Sequence, residues 1–275
     1  MVFRTGKSNE VVIESPITDT ISELQFSPQS NFLAAASWDN QVRIWDVDYT
    51  QAKPVTAITH EGPALCCTWS MDGKYMVSGG ADTFGRMVDM DSGSNMLVAK
   101  HDEPIRNVRF VALNGQPILV TGSWDKTIKY WDLRQQKPLG SVDIQQKCYA
   151  MDARGDCIVI ATANRMIHYI DAKNPQFIMK TFLSPLKYQT KSLAISPDAK
   201  CTAIGSVEGR FALEYFADSN KEWIEGTPTC VAYHSNGERL AYALGNDWTQ
   251  EKKIGVRGSP TRIVVHKLNR IQQGL

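Results

Sequence analysis

The sequence lacks the residue spacings that usually mark a metal centre or a disulfide framework. Its cysteines form no CxxC pair, and its five histidines form no HxxxH or HExxH pattern. Most of the cysteines lie inside apolar, strand-like runs, so we interpret them as reduced core thiols and predict no metal site. Disulfide formation and metal binding are minor alternatives. The six cysteines are Cys66, Cys67, Cys148, Cys157, Cys201 and Cys230.

Long apolar runs and a strong net charge are also missing. No uninterrupted apolar segment approaches membrane-spanning length, and the first ten residues contain no apolar signal-peptide core. We therefore expect a soluble, intracellular protein without membrane insertion. A formal net charge of +1 over 275 residues excludes polyanion binding through bulk charge, while 43% hydrophobic residues can form a large core. A single domain over residues 1–275, with a flexible N-terminus at 1–10, is the simplest interpretation.

Motifs for catalysis are absent as well. The chain has no phosphate-binding loop, no cluster of metal-binding side chains and no recognisable nucleophile motif. The sequence therefore predicts neither an enzyme nor a cofactor nor a small-molecule substrate.

What the sequence does contain is a repeated unit, which is clearest between residues 101 and 134. This stretch begins with His101 and passes through two β-rich runs, IRNVRFV and PILVTGS. It turns at Trp124-Asp125-Lys126, continues as TIKYW and closes with Trp131-Asp132. That order is typical of one blade of a WD-repeat β-propeller.

The polar residues of this unit are explained by a buried hydrogen-bond network. The carboxylate of Asp125 can accept from the His101 ring, and a hydroxyl from Thr121 or Ser123 can join His101 to the Trp131 indole. The alternative is hydrolase chemistry with Ser123 as nucleophile. It requires an exposed nucleophile and an oxyanion site, and no elbow motif surrounds Ser123. The Asp turn also recurs in other repeats, which favours a structural role.

Similar units recur along the chain. Each contains short β-rich runs separated by turn residues, as in SMDGKY, SPDAK and HSNGER. The unit-closing positions Asp46, Asp89, Asp132, Asp171, Phe216 and Lys267 recur at intervals of 39 to 51 residues. We predict an all-β WD-repeat propeller with six recognisable blades. Residues 11–14 are interpreted as a strand that completes the last blade and closes the ring.

Six stretches go beyond generic WD-repeat spacing. They are ESPITDTISELQFSPQSNFLAAASWDNQVRIWDV, HDEPIRNVRF, VTGSWDKTIKYWDLRQQKP, LSPLKYQTKSLA, AIGSVEGRFALEY and LAYALGNDW. Through them the sequence resembles, over nearly its whole length, the messenger-RNA export factor family of WD-repeat proteins, which dock at nuclear pore complexes. The related mitotic-checkpoint family of kinetochore WD-repeat proteins shares the SWD turns, LKYQT and the S-x-EGR turn. TIKYWDLRQQ and Asn246-Asp247-Trp248 favour the export branch.

The family pattern has seven blades, and this sequence departs from it. Only 12 residues separate Phe216 from Thr229, where the family carries a polar loop and a whole blade. Three interpretations remain: a ring that closes with six blades, an incomplete ring, or a shortened version of the family chain. Surfaces that the family builds from the missing blade are not carried over.

The resemblance implies a protein-interaction platform in the nucleus, at pores, and also in the cytoplasm. Its implied partner is the acidic GLEBS segment of a GLFG-repeat nucleoporin, and its implied process is export of messenger ribonucleoprotein.

Three groups of residues are candidates for partner binding. Trp38 and Trp124 precede the turn Asp and can serve as aromatic anchors, although packing on a neighbouring blade explains them equally well. Arg210, interpreted as a turn residue, can bind a carboxylate, with an internal pair to Glu208 or to another blade's turn as the alternative. The third group follows Ser184-Pro185, and an ordinary solvated loop is its alternative. That group consists of Lys187, Tyr188 and Gln189.

Direct binding of single-stranded RNA is a second hypothesis. Near-neutral net charge weakens it, but a local basic patch remains a candidate. The cations considered for that patch are Arg43, Lys126, Lys129, Arg134 and Lys187.

Overall fold

Short strands form throughout because apolar runs of about six residues alternate with turn-forming residues. The computed structural model describes residues 10–13, 17–48, 51–113, 115–135, 137–195, 201–207, 210–215, 221–225, 230–233, 239–244 and 262–267. These residues contain 24 strands and no helix, and the strands make six four-stranded antiparallel sheets. The all-β propeller predicted from the sequence is confirmed. No described helix is long and apolar enough to span a membrane.

The first five sheets each use four consecutive strands in chain order. Blade 1 contains β2 (Ile21–Phe26), β3 (Phe32–Ser37), β4 (Gln41–Val47) and β5 (Ala52–Thr59). Blade 2 contains β6 (Ala64–Trp69), β7 (Tyr75–Gly80), β8 (Phe84–Asp89) and β9 (Asn95–Lys100). Blade 3 contains β10 (Ile105–Leu113), β11 (Gln116–Ser123), β12 (Thr127–Trp131) and β13 (Gly140–Asp143). Blade 4 contains β14 (Cys148–Arg154), β15 (Cys157–Thr162), β16 (Met166–Asp171) and β17 (Ile178–Leu183). Blade 5 contains β18 (Thr190–Ile195), β19 (Cys201–Ser206), β20 (Arg210–Tyr215) and β21 (Lys221–Glu225).

The sixth sheet is assembled from both ends of the described chain. Blade 6 combines β22 (Cys230–Tyr233), β23 (Arg239–Leu244) and β24 (Arg262–Lys267) with β1 (Glu10–Ile13). Strand β1 pairs antiparallel with β24, with Val11 opposite Val265. This pairing gives the blade its fourth, outermost strand, one residue earlier than the 11–14 segment proposed from the sequence.

The inner strands settle how the ring closes. Each blade's first strand contacts the first strand of the next blade, from β2 through β6, β10, β14 and β18 to β22. Strand β22 in turn contacts β2, so the six inner strands form a closed circle. The segment between Phe216 and Thr229 contributes β21, the outer strand of blade 5. Of the three interpretations left open by the sequence, the closed six-bladed ring is the one that the structure shows.

The hydrophobic core lies between neighbouring blades. Leu33 of blade 1 packs with Ile13 of blade 6, and Val42 of blade 1 packs in a cluster with Met76 of blade 2. Similar clusters join blades 2 and 3, 3 and 4, and 4 and 5. Middle strands are therefore buried on both faces and read as continuous apolar runs, whereas outer strands such as β17 are largely exposed.

Two glycines allow the blades to approach closely. A Cβ at Gly79 would lie 2.6 Å from the Cγ2 of Ile105, and a Cβ at Gly122 would lie 2.6 Å from the Sγ of Cys148. Both contacts are with the inner strand of the next blade. A side chain at either glycine would push neighbouring blades apart.

Candidate partner-docking face

Two sets of loops lie at the same end of every blade. They are the turns between second and third strands and the connections from each fourth strand to the next blade. Because successive strands are antiparallel, both sets meet at one end of the sheet. We call this end the upper face. It includes the turns at 38–40, 81–83, 124–126 and 163–165 and the connections at 60–63, 101–104, 144–147 and 184–189.

The blade 3 turn is held by a continuous buried network. Nδ1 of His101 lies 2.7 Å from Oδ2 of Asp125, and Nε2 of His101 lies 2.7 Å from Oγ1 of Thr121. The indole Nε1–H of Trp131 donates to the same hydroxyl at 2.8 Å. The hydroxyl that joins His101 to Trp131 is therefore Thr121, one of the two offered by the sequence.

Ser123 has a different place in the turn. Its Oγ donates to the carbonyl oxygen of Glu103 at 3.0 Å and accepts from the backbone N–H of Asp125 at 3.0 Å. These bonds fix the turn to the preceding connection. Both ring nitrogens of His101 are already bonded to Asp125 and Thr121, so the structure does not place Ser123 beside a general base.

The protonation of this network follows from burial. Burial lowers the pKa of His101, and the opposing effect of Asp125 does not overcome it. A neutral ring that donates from Nδ1 to Asp125 can accept at Nε2 from the Thr121 hydroxyl, which in turn accepts from Trp131. Burial alone would raise the pKa of Asp125, but hydrogen bonds from Thr127 and His101 outweigh it and lower that pKa.

Blade 2 has the same histidine, carboxylate and hydroxyl network as blade 3 but lacks the tryptophan. Nδ1 of His60 lies 3.1 Å from Oδ2 of Asp82, and Nε2 lies 2.8 Å from Oγ of Ser78. Val88 stands where blade 3 has its tryptophan, so no indole completes the chain. Arg86 instead donates to Asp82 at 3.2 Å. The recurring turn carboxylate thus serves the scaffold in more than one blade.

Acidification is expected to destabilise the fold through these histidines. The pKa of His60 is lowered by burial, as is that of His101, so the unfolded chain binds protons that the folded chain does not. The free energy of unfolding should therefore begin to fall as pH drops below about 6.5, the ordinary histidine pKa. Thermal midpoints at pH 7, 6 and 5 test this. His101→Gln should show a shallower dependence, and an unchanged dependence would contradict the assignment.

The cysteine side chains that the structure describes fit the interpretation as core thiols. Cys66, Cys67 and Cys148 are buried and Cys157 is partly buried, and all four are free. Burial raises the pKa of Cys148 to about 12 and also raises that of Cys66. Among the described residues, no group of three or more His, Cys, Asp or Glu side chains could hold a metal ion.

Trp38 and Trp124 both lie on the upper face and are partly buried. The ammonium of Lys147 lies 5.5 Å from the ring centre of Trp124 and 3.5 Å from a carboxylate oxygen of Glu103. The indole Nε1 of Trp124 is buried and has no hydrogen-bond partner within the described part of the chain. Each tryptophan therefore offers part of a ring to solvent while the rest packs on the scaffold.

Hydrogen bonds to blade 4 hold the connection at 184–189 in place. Leu186 is buried, and Nη1 of Arg165 donates to the carbonyl oxygens of Leu186 at 3.1 Å and Lys187 at 2.7 Å. The Gln189 amide donates to the carbonyl oxygen of Thr162 at 3.1 Å. Of the three residues proposed for binding in this connection, Gln189 therefore secures the loop to blade 4.

The other two residues of the connection are presented to solvent. Lys187 and Tyr188 are exposed, and the Lys187 ammonium lies 5.5 Å from the centre of the Tyr188 ring. Arg165, which holds them, was missed by sequence reasoning. The signal was present in its position, because it occupies the left-handed turn position (φ 64°) that Lys126 occupies in blade 3 (φ 69°). The 184–189 connection therefore presents a preformed cation–aromatic pair, Lys187 and Tyr188, to solvent.

The sequence interpretation placed Arg210 in a turn, but the structure places it in a strand. It begins strand β20, where its register partner on β21 is Glu225. Its side chain lies outside the described part of the structure. The residues that begin the third strand in the other blades are Gln41, Phe84, Thr127 and Met166. Two of these, Phe84 and Met166, are large apolar residues, and the role of Arg210 in partner binding stays a prediction.

The cations proposed as an RNA-binding patch are divided between two ends of the propeller. Lys126 lies in the turn between β11 and β12, whereas Arg134 lies in the β12–β13 connection at the opposite end. Arg134 pairs with Asp132 at 2.7 Å, and Arg43 pairs with Asp39 at 2.8 Å. Lys129 donates to the Lys100 carbonyl oxygen at 3.3 Å. Internal acceptors thus engage three of the five cations.

The ring of four-stranded blades, with histidine, turn carboxylate and tryptophan joined in blade 3, defines a WD-repeat propeller. The family model described as "WD domain, G-beta repeat" matches residues 10–46, 52–89 and 96–132. The chain is 46% identical to the Poly(A)+ RNA export protein of Schizosaccharomyces pombe, over 94% of this chain and 90% of that protein. It is 33% identical to the mRNA export factor GLE2 of Chaetomium thermophilum, with the same coverage. It is 37% identical to Protein Rae1 of Drosophila melanogaster, over 78% of this chain and 65% of that protein. The chain belongs to the messenger-RNA export factor family of WD-repeat proteins.

The alignment with the S. pombe relative also bears on the number of blades. It runs to 316 residues although it uses 94% of a 275-residue chain. The relative therefore carries roughly 58 residues that face gaps in this chain, which is more than one blade of about 40–45 residues.

Proposed function

We propose that this protein is a non-enzymatic docking platform that assists nuclear export of messenger RNA at nuclear pore complexes. Its proposed ligand is an acidic nucleoporin segment of the GLEBS type, bound on the upper face. The family supports the process, since two of the relatives are named as export proteins for poly(A)+ RNA or mRNA. The export branch is therefore favoured over the kinetochore adaptor.

One contrast on the upper face carries the proposal. The polar groups that resemble catalytic machinery are engaged within the scaffold, as with His101, Asp125 and Ser123. The Lys187–Tyr188 pair, in contrast, is exposed on an anchored loop. A face whose conspicuous polar groups are internally bonded is suited to holding a partner rather than to transforming a substrate.

The chemistry of the exposed pair suits an acidic segment. An ammonium above an aromatic ring offers a carboxylate partner a charged donor beside an apolar surface. Because Arg165 and Gln189 already hold the connection, little conformational entropy is lost when a partner binds there. Trp124, with its ring partly exposed on the same face, offers a second aromatic contact.

Affinity purification of the full chain from nuclear extract, followed by mass spectrometry, tests the process. Nucleoporins and messenger-ribonucleoprotein components are the expected partners. Recovery of kinetochore proteins without nucleoporins would contradict the export assignment.

Calorimetry tests the ligand. A synthetic acidic GLEBS peptide should bind at both 50 and about 200 mM salt, with a scrambled peptide as control. Single-stranded oligouridine should bind weakly and lose affinity steeply with salt. If the oligonucleotide binds tightly and the peptide does not bind, the proposed peptide ligand is wrong and RNA is the ligand instead.

A further inference from the structure

The axis of the propeller is occupied by a group of charged side chains from three different blades. Arg109, on inner strand β10 of blade 3, places Nη2 2.5 Å from Oε1 of Glu23, on β2 of blade 1. Its Nε lies 2.9 Å from Oδ1 of Asp152, on β14 of blade 4. Arg109 and Glu23 are both buried. We call this trio the axial clasp.

The two carboxylates extend the axial clasp to two more blades. Oε2 of Glu23 accepts from the backbone N–H of Cys67 on β6 of blade 2, at 3.1 Å. Oδ2 of Asp152 accepts from the backbone N–H of Ile195 on β18 of blade 5, at 2.7 Å. Inner strands are sheet edges, so these N–H groups point away from their own sheets and need such acceptors. The clasp thereby contacts five of the six blades.

Each guanidinium nitrogen of Arg109 has an acceptor within the protein. Its Nη1 donates to the Val108 carbonyl oxygen at 2.7 Å, while Nε and Nη2 serve the two carboxylates. Burial disfavours the charged guanidinium, but Glu23 and Asp152 outweigh it and raise the pKa of Arg109. Two opposite charges and one carbonyl oxygen thus surround the buried cation, which offsets the cost of its burial.

The hydrophobic clusters cannot provide the same connection. Each cluster joins neighbouring blades, as between blades 1 and 2 or between blades 2 and 3. With such contacts alone, a ring behaves as an array in which each unit senses its neighbours. The Arg109–Glu23 pair differs because it directly joins blades 1 and 3, which are not neighbours in the ring.

We propose that the axial clasp stabilises the ring by coupling blades that are not neighbours. One guanidinium spans the axis because it holds a carboxylate from the next blade and another from two blades away. The clasp also fixes the inner edges of β6 and β18, and through them the position of the upper-face loops above.

The test is hydrogen exchange resolved by strand on the full chain carrying Arg109→Met. Removing the guanidinium leaves the buried Glu23 carboxylate and the partly buried Asp152 carboxylate without their cation. We expect amide exchange at least about tenfold faster in β2, β6, β14 and β18, and a thermal midpoint lower by on the order of 5–15 °C. Thr121→Val, which replaces a buried hydroxyl of blade 3 with a methyl group of similar size, is the control and should accelerate exchange mainly within that blade.

Two results would overturn the proposal. One is unchanged exchange in β2 and β18 with Arg109→Met, and the other is an increase confined to blade 3 as in the control. If Arg109→Met does not accumulate as folded protein, Glu23→Gln takes its place, since it keeps the shape and removes the charge. It should accelerate exchange in β10 across the axis, and unchanged exchange there would equally refute the coupling.

Discussion

Asp125→Ala is expected to lower the free energy of unfolding by about 2–4 kcal/mol, one of the largest effects available from a single residue of the upper face. The carboxylate accepts from His101 at 2.7 Å, from the Thr127 hydroxyl at 2.7 Å and from the Thr127 N–H at 3.0 Å. Its removal leaves these donors without an acceptor in a partly buried site. Urea and thermal unfolding measure the loss.

Two variants make this result specific. Asp91→Ala removes an exposed carboxylate from the opposite end of blade 2 and should change stability by no more than about 0.5 kcal/mol. Asp125→Asn keeps an oxygen able to accept from His101 and should lose less than Asp125→Ala. An Asp125→Ala protein that unfolds like the parent would show that the turn carboxylate does not support the blade.

Tyr188→Ala is expected to weaken binding of the acidic GLEBS peptide by roughly 10- to 100-fold, or about 1.4–2.8 kcal/mol. The side chain is 48% exposed, so its removal should leave the fold intact while deleting the aromatic surface beside the Lys187 ammonium. Calorimetric titration measures the loss. Phe177→Ala is the matched control, because Phe177 is 65% exposed but lies at the opposite end of blade 4.

In the same assay, Arg165→Asn tests whether holding the 184–189 connection in place matters for peptide binding, whereas Tyr188→Ala tests a direct contact. Asparagine accepts the left-handed backbone conformation of residue 165 but cannot reach the carbonyl oxygens of Leu186 and Lys187. We expect a smaller loss of affinity, with faster amide exchange in the 184–189 connection. Full affinity in both Tyr188→Ala and Arg165→Asn would remove this connection from the proposed docking site.

Sequence reasoning could identify the blades because their signals are local. A turn such as Trp124-Asp125-Lys126 and the apolar runs beside it specify a hairpin whatever the rest of the chain does. The partners of Asp125 were also within reach, because His101 and Trp131 recur at fixed distances within one repeat. The choice between Thr121 and Ser123 could not be made from the sequence, because it depends on which hydroxyl the strand directs toward the His101 imidazole.

The error on Arg210 has a similar cause. Assigning it to a turn required the register of β19 and β20 to one residue, and a shift of one residue moves a side chain to the other face of a sheet. Arg165 was overlooked for the opposite reason. Its turn position was visible, but its role depends on a loop that follows about 20 residues later.

The sequence by itself determined a chain of four-stranded units and the polar network within them, because residues close in the chain specify both. Only the tertiary structure decided that six units close into a ring and that Arg109 meets Glu23, 86 residues away, at its axis. The physical reason is that ring closure depends on the angle between blades summed around the circle. No local pattern encodes that sum, and Arg109 and Glu23 become neighbours only when blades 1 and 3 pack on opposite sides of blade 2.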